Sequence, residues 1–106
     1  MTPHPIPSSF RLRRRKWKVV TKERGDRANH AGLCAPASKQ IVLYDKTHNR
    51  ERTQQERQRT FWHEVTHAVL LTMHHKLGQD EVFVTHFGLL LEELIRTARF
   101  EEGTQP

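Results

Sequence analysis

Thr60-Phe61-Trp62-His63-Glu64-Val65-Thr66-His67-Ala68-Val69-Leu70-Leu71 is the stretch on which the reading of the chain turns. It contains no glycine or proline and is apolar or small at Phe61, Trp62, Val65, Ala68, Val69, Leu70 and Leu71, so it reads as a buried helix. His63 and His67 stand four residues apart, about one helical turn, and their rings project from one face. That spacing lets two imidazoles reach a single metal ion, zinc being the usual one, at roughly 2.0–2.1 Å from each nitrogen. Glu64 sits about 100° round the helix from His63. It stands beside such an ion rather than on it, where a carboxylate can take a proton from water that the ion activates. His63 and His67 are therefore candidate metal ligands, and Glu64 is the candidate catalytic residue. A bare His-Glu-x-x-His string recurs by chance. The uncharged Val65-Thr66 middle and the apolar frame favour the metal over histidines that merely pack or face solvent.

The flanking sequence supplies the rest of an α+β domain. Thr53-Gln54-Gln55-Glu56 fits a capping box, so the active-site helix is expected to start near Thr53 and run to about Leu77, with Gly78 as its left-handed cap. Its polar first half, Gln54 to Arg59, is expected to project from the domain. Asp80 can cap a second helix from Glu81 to about Phe100, with Val84, Phe87, Leu91, Leu94, Ile95 and Ala98 along one face. Upstream, Gln40-Ile41-Val42-Leu43-Tyr44-Asp45 is the clearest strand. Phe10 to Thr21 reads as one strand, with Trp17 and Val19 on the same face, and Ala31 to Ala35 as a short one. A Gly25-Asp26 turn and the turn Pro36-Ala37-Ser38-Lys39 separate them. Three strands on short connections predict a short antiparallel sheet. Residues 1–9 read as a flexible or loosely docked leader, 10–101 as a single domain and 102–106 as a tail.

Two histidines leave a zinc site incomplete, because a catalytic site usually has three protein ligands. A third histidine six residues after His67 is missing, since that position is Met73. His74 and His75 lie two turns on, about 10 Å along the axis, too far to share the ion. The third ligand is expected from the second helix. His86, set among Val82, Phe83, Leu89 and Leu90, is the leading candidate. Glu92 and Glu81 are the alternatives, since carboxylates also complete such sites, and a site without a third protein ligand is the remaining one.

Composition bounds the function. A chain of 106 residues, 35% hydrophobic and 28% charged, suits one soluble domain with a modest core. No apolar run approaches the roughly 20 residues of a bilayer span. The first residues lack the apolar core of a secretory signal. A single cysteine, Cys34, excludes an internal disulfide and fits a reducing interior, so the cytoplasm of a bacterium or an infected host cell is expected. The net charge is +6, and Arg11-Leu12-Arg13-Arg14-Arg15-Lys16-Trp17-Lys18 carries six cations without an acid. Such a run can touch nucleic acid or an acidic partner. The favoured reading is a solvated edge strand whose charges discourage edge-to-edge pairing.

Gly32-Leu33-Cys34, the Gln40 to Tyr44 strand, Glu56-Arg57-Gln58-Arg59-Thr60 and Phe61 to Ala68 together resemble small zincin-like metallopeptidases of phages and prophages. These are distantly related to the ImmA/IrrE metalloendopeptidases. The resemblance covers about residues 10 to 100 and is specific at the His63–His67 helix. It implies a minimal zincin with a short antiparallel sheet, an active-site helix and a following helix that gives the third ligand. The activity it implies is zinc-dependent cleavage of a peptide or protein, with Glu64 handling the proton. In such relatives the third ligand is typically a glutamate in a Val-Glu pair early in the second helix. The corresponding pair here is Val84-Thr85, with His86 next. If at the sheet edge, Gln40 to Tyr44 would hold an extended peptide by backbone pairing, and Tyr44, His74 and His75 are candidates to stabilise an oxyanion. A second reading, from another class, is a catalytically inactive zincin-like protein that binds nucleic acid or a protein through Arg11 to Lys18.

Overall fold

The computed structural model describes residues 6–23, 31–47 and 50–100. The expected Gly25-Asp26 turn and the 102–106 tail lie outside them. The basic run is not one strand but a hairpin. Strand β1 (Ser9–Leu12) pairs antiparallel with β2 (Arg15–Lys22), placing Phe10 opposite Trp17 and Leu12 opposite Arg15. At the tip, Arg13 and Arg14 take φ of 49° and 69°. Positive φ at both central residues matches the twist of a tight two-residue hairpin. Neither residue is the glycine or asparagine that usually announces such a turn.

A second hairpin follows, β3 (Gly32–Ala35) antiparallel to β4 (Gln40–Tyr44), around the turn at 36–39. The two hairpins join through β2 and β4, which run parallel with Val19 beside Ile41 and Thr21 beside Leu43. The sheet is therefore four-stranded and mixed, in the order β1-β2-β4-β3, rather than three-stranded and antiparallel. Ile41, Val42, Leu43 and Tyr44 are all buried, and a run apolar on both faces belongs in the sheet interior. That fixes β4 as a central strand and leaves β3 at the edge. Two short strands, β5 (Lys46–Thr47) and β6 (Arg50–Glu51), form a separate ladder ahead of the first helix.

One face of the sheet carries Phe10, Leu12, Trp17, Val19, Ile41, Leu43 and Cys34, and α1 (Gln54–Thr72) lays Phe61, Val65 and Ala68 over it. Trp17 and Val19 share that face, as their alternation predicts. Phe10 stacks on Trp17 at 6.0 Å between centroids and meets the edge of Phe61 at 6.2 Å. Each large side chain so buried contributes about 1.5–3 kcal/mol. Ile6 packs against the same core, and the Ser8 carbonyl accepts from the Val19 amide at 2.9 Å. The residues just ahead of β1 are thus docked.

Helix α1 starts as expected. The Thr53 hydroxyl accepts from the Glu56 amide, and the Glu56 carboxylate accepts from the Thr53 amide at 2.8 Å. Its polar first half does not project, however. Gln58 and Thr60 are buried, and Arg57 reaches Asp45 at 3.0 Å. The helix also stops at Thr72 rather than Leu77, where Met73 closes it and His74 takes the left-handed conformation with φ 54°. A 3₁₀ turn, Lys76–Gln79, leads to α2 (Glu81–Thr97), whose first turn is capped by the Asp80 carboxylate accepting from the Phe83 amide. Helix α2 packs on α1, and Gly88 lets the two backbones touch: a Cβ there would stand 3.0 Å from the His63 Cα. Of the face expected to be apolar and covered, Val84 is buried while Phe87 and Leu94 are exposed. The other buried positions of α2 are Gly88 and Glu92. Among the described residues no helix is long and apolar enough to cross a membrane.

Candidate metal centre

His63 and His67 lie on the side of α1 that meets the start of α2, their rings 5.0 Å apart. The chain reverses through the 3₁₀ turn, and the first residue of α2, Glu81, arrives between them. Its Oε1 lies 3.2 Å from His63 Nε2 and its Oε2 lies 3.0 Å from His67 Nε2. One donor atom from each of the three residues lies within 4.8 Å of the others. The leading sequence candidate, His86, is instead exposed on α2 and outside this cluster. Glu92 is buried, but its carboxylate accepts from Arg96 at 3.0 Å and stands 4.0 Å from Arg59 of α1. It ties the two helices together away from the histidines. Two observations single out Glu81: Asp80 caps the helix, and the residue after that cap is the one delivered to the end of the histidine face.

The protonation pattern at His67 is fixed by its outer partner. Nδ1 lies 2.7 Å from the Gly78 carbonyl oxygen, which can only accept, so Nδ1 carries the hydrogen. In the neutral ring Nε2 then bears a lone pair, and it faces a carboxylate oxygen at 3.0 Å. Two lone pairs at that distance call for a positive species between them, a proton or a cation. Burial first, then the neighbouring His67, holds His63 below the ordinary imidazole value, with Glu81 pulling the other way. Burial thus favours the neutral ring of His63, while Glu81 at 3.2 Å favours the charged one. Two imidazole nitrogens and a carboxylate are a donor set that zinc accepts, so the residues fit such an ion.

Glu64 is the next residue and is buried beside this cluster. Its carboxyl is raised to about 7, chiefly by burial and also by the Glu81 charge, with His67 opposing. A carboxyl poised there can both take and return a proton near neutrality. Cys34 lies close by, but burial, and then Glu64, pushes its thiol up to about 12. Burial thus favours the neutral thiol over the nucleophilic thiolate.

These groups line a cleft of about 360 Å³. Gly32, Leu33, Cys34 and Pro36 form one wall, His63, Glu64 and His67 the floor, and Gln79 and Glu81 the other side. A second hollow of about 290 Å³ continues it past His63 and Glu64 to Arg59, Thr85 and Leu89. The edge strand beside the cleft is β3, and Gln40 to Tyr44 lies inside the sheet. Gly32 brings β3 against α1, since a Cβ there would stand 2.5 Å from Thr60 Cγ2 and 3.4 Å from Glu64 Cγ. Of the candidates to stabilise an oxyanion, Tyr44 is buried in β4, His74 lines a separate hollow beside Trp17, and His75 caps the 3₁₀ turn by accepting from the Leu77 amide. None lines the cleft.

No protein-family model, no curated protein and no solved structure matches the chain.

Proposed function

We propose that the chain is a zinc-dependent endopeptidase of minimal zincin-like architecture. In this reading His63, His67 and Glu81 hold the ion, Glu64 moves the proton and the cleft along β3 takes an extended peptide. The observation that carries it is the convergence of two histidine nitrogens and one carboxylate beside a buried carboxyl poised near neutrality. A bound divalent ion supplies Lewis-acid activation of water and of a scissile carbonyl. Glu64 takes the proton from the attacking water and returns it to the leaving amine, a role that its buried, raised carboxyl suits. The Gly78 carbonyl keeps the His67 ring turned so that Nε2 faces Glu81, the arrangement in which the two would hold an ion. The exposed edge of β3 offers backbone donors and acceptors to a peptide lying alongside.

Zinc content measured with cleavage of a mixed peptide library tests the proposal. Wild-type protein is expected to hold one zinc and to cut. Glu64→Gln is expected to keep the metal and lose at least about a hundredfold in rate. Protein that takes up no zinc, or a Glu64→Gln variant that cuts as well as wild type, ends the proposal.

One observation favours a second reading. Arg11, Arg13, Arg14, Arg15, Lys16 and Lys18 are all exposed on the β1–β2 hairpin, with no acidic ion-pair partner among the described residues. If that hairpin binds nucleic acid, affinity falls steeply with salt and survives Glu64→Gln.

A further inference from the structure

We infer that the outer face of α2 is the interface of a two-fold dimer of this chain, in which two copies of α2 pack antiparallel. Helix α2 turns Val84, Gly88 and Glu92 towards α1 and leaves a second stripe about 130° round the helix. On it Phe83, Phe87, Leu90 and Leu94 recur at intervals of four, three and four residues, the spacing of a helix–helix seam. Phe87, Leu90 and Leu94 are 47%, 67% and 61% exposed, far more than a finished core leaves large apolar side chains. Phe83 and Phe87 stack on each other at 5.6 Å and border an apolar hollow shared with Val69 and Leu70 of α1 and its cap Met73, so the aromatic end of the stripe adjoins α1 while Leu90 and Leu94 stand clear of it.

The stripe is complementary to itself. A two-fold axis crossing α2 between Phe87 and Leu90 sets Phe87 against Leu90 of the second copy and Phe83 against its Leu94, so every aromatic meets a leucine. The same axis brings His86 of each copy beside Glu93 of the other, along one flank of the seam. Both side chains are exposed, and an imidazole next to a carboxylate is a favourable neighbour whether it donates neutrally or carries charge. A two-fold contact requires such self-complementarity. Four apolar side chains from each copy make a small seam, so the dimer is weak. This placement gives His86 a position away from the metal centre, and it does not depend on the proposed chemistry.

Sedimentation equilibrium of the full chain tests the inference. The wild type is expected to be a dimer that dissociates on dilution through the micromolar range. Leu90→Lys combined with Leu94→Lys is expected to be monomeric with unchanged helix content by circular dichroism. Should that pair unfold, the surface substitutions decide instead: Glu93→Lys weakens the dimer several-fold, and Glu93→Lys with His86→Glu restores it. A wild type that stays monomeric up to about 1 mM overturns the inference. So does a dimer indifferent to both sets of variants. A monomer that instead binds anionic phospholipid vesicles, and loses that binding in the lysine variant, assigns the face to a membrane surface and also overturns it.

Discussion

His67 donates its Nδ1 hydrogen to the carbonyl oxygen of Gly78 over 2.7 Å, so the turn after α1 sets the orientation of a ring inside α1. Gly78 packs closely on Leu71 there, with little room for a side chain. A Cβ on it would press on Leu71 Cδ2 at 3.0 Å. We expect Gly78→Ala to weaken zinc binding by roughly tenfold, the lower end of what losing an outer partner of a ligating histidine costs. Truncating Leu71 to Ala in the same chain should recover part of the loss. Chelator competition measures both, and an unchanged affinity in Gly78→Ala refutes the orienting role.

Glu81, not His86, is expected to govern metal affinity. Glu81→Gln should weaken zinc binding by about 100-fold or more, while His86→Ala leaves it within about twofold of wild type. The same titration that shows the reverse order would remove Glu81 from the donor set.

Burial raises Glu64 to about 7 from 4.5, so the metal-free protein has a characteristic pH dependence. Between those values the folded chain keeps a proton that the unfolded chain has already released. Stability therefore falls as pH rises through that window and levels off above it. His63, depressed by burial and by His67, adds a slope of the opposite sign, so the informative quantity is the difference between variant and wild type. Glu64→Gln should be the more stable form above pH 7, by on the order of 3 kcal/mol. Urea unfolding of chelator-treated protein at acid and at mildly alkaline pH measures it, and equal slopes in the two proteins would contradict it.

Gly32→Ala places a methyl group 2.5 Å from Thr60 Cγ2, a buried, branched side chain that cannot swing away. We expect it to cost about 1–3 kcal/mol and to push β3 off the cleft. Thr60→Ser removes the clashing carbon and keeps the hydroxyl that donates to the Glu56 carbonyl at 3.1 Å. The double variant should therefore be more stable than Gly32→Ala alone. Simple additivity in thermal unfolding would exclude the contact as the cause.

At the start of α1, Glu56 is held down to about 2 by its hydrogen bonds from Arg50 first and then from the Thr53 amide. A depressed carboxyl contributes stability that is complete above its ordinary value and is lost as pH falls towards 2. Glu56→Gln should flatten acid unfolding in that window, with a modest effect because the group is partly exposed. Thr53→Ala should cost about 1 kcal/mol at neutral pH.

Local chemistry made some features legible in the sequence. The capping box at Thr53, the Asp80 cap of α2, the alternation of Trp17 and Val19, and the 36–39 hairpin are each written in a few adjacent residues. The His63–Glu64–His67 arrangement is of the same kind, because helix geometry alone brings those side chains to one end of a face. Features set by distant partners were less legible. The Arg13–Arg14 turn lacks the residues that ordinarily mark positive φ, so a hairpin read as one strand. The parallel β2–β4 pairing depends on where a strand buried on both sides must go, and short connections pointed to a purely antiparallel sheet. The candidate third donor was misplaced for a similar reason. An apolar setting around His86 suggests engagement, but Val82, Leu89 and Leu90 are exposed, and the residue brought to the histidines is the first one after the cap. Helix α1 ends at Thr72 with His74 in the left-handed conformation, while Gly78, the obvious left-handed cap, lies in the next turn with its carbonyl on His67.

The seam between β2 and β4 also bears on how the molecule assembles. Each hairpin is closed by a four-residue turn or less, whereas the seam joins Val19 to Ile41 across an intervening strand. Local closure is the cheaper event, so two prefabricated ribbons should arise first and then meet edge to edge, with that encounter setting the pace of refolding.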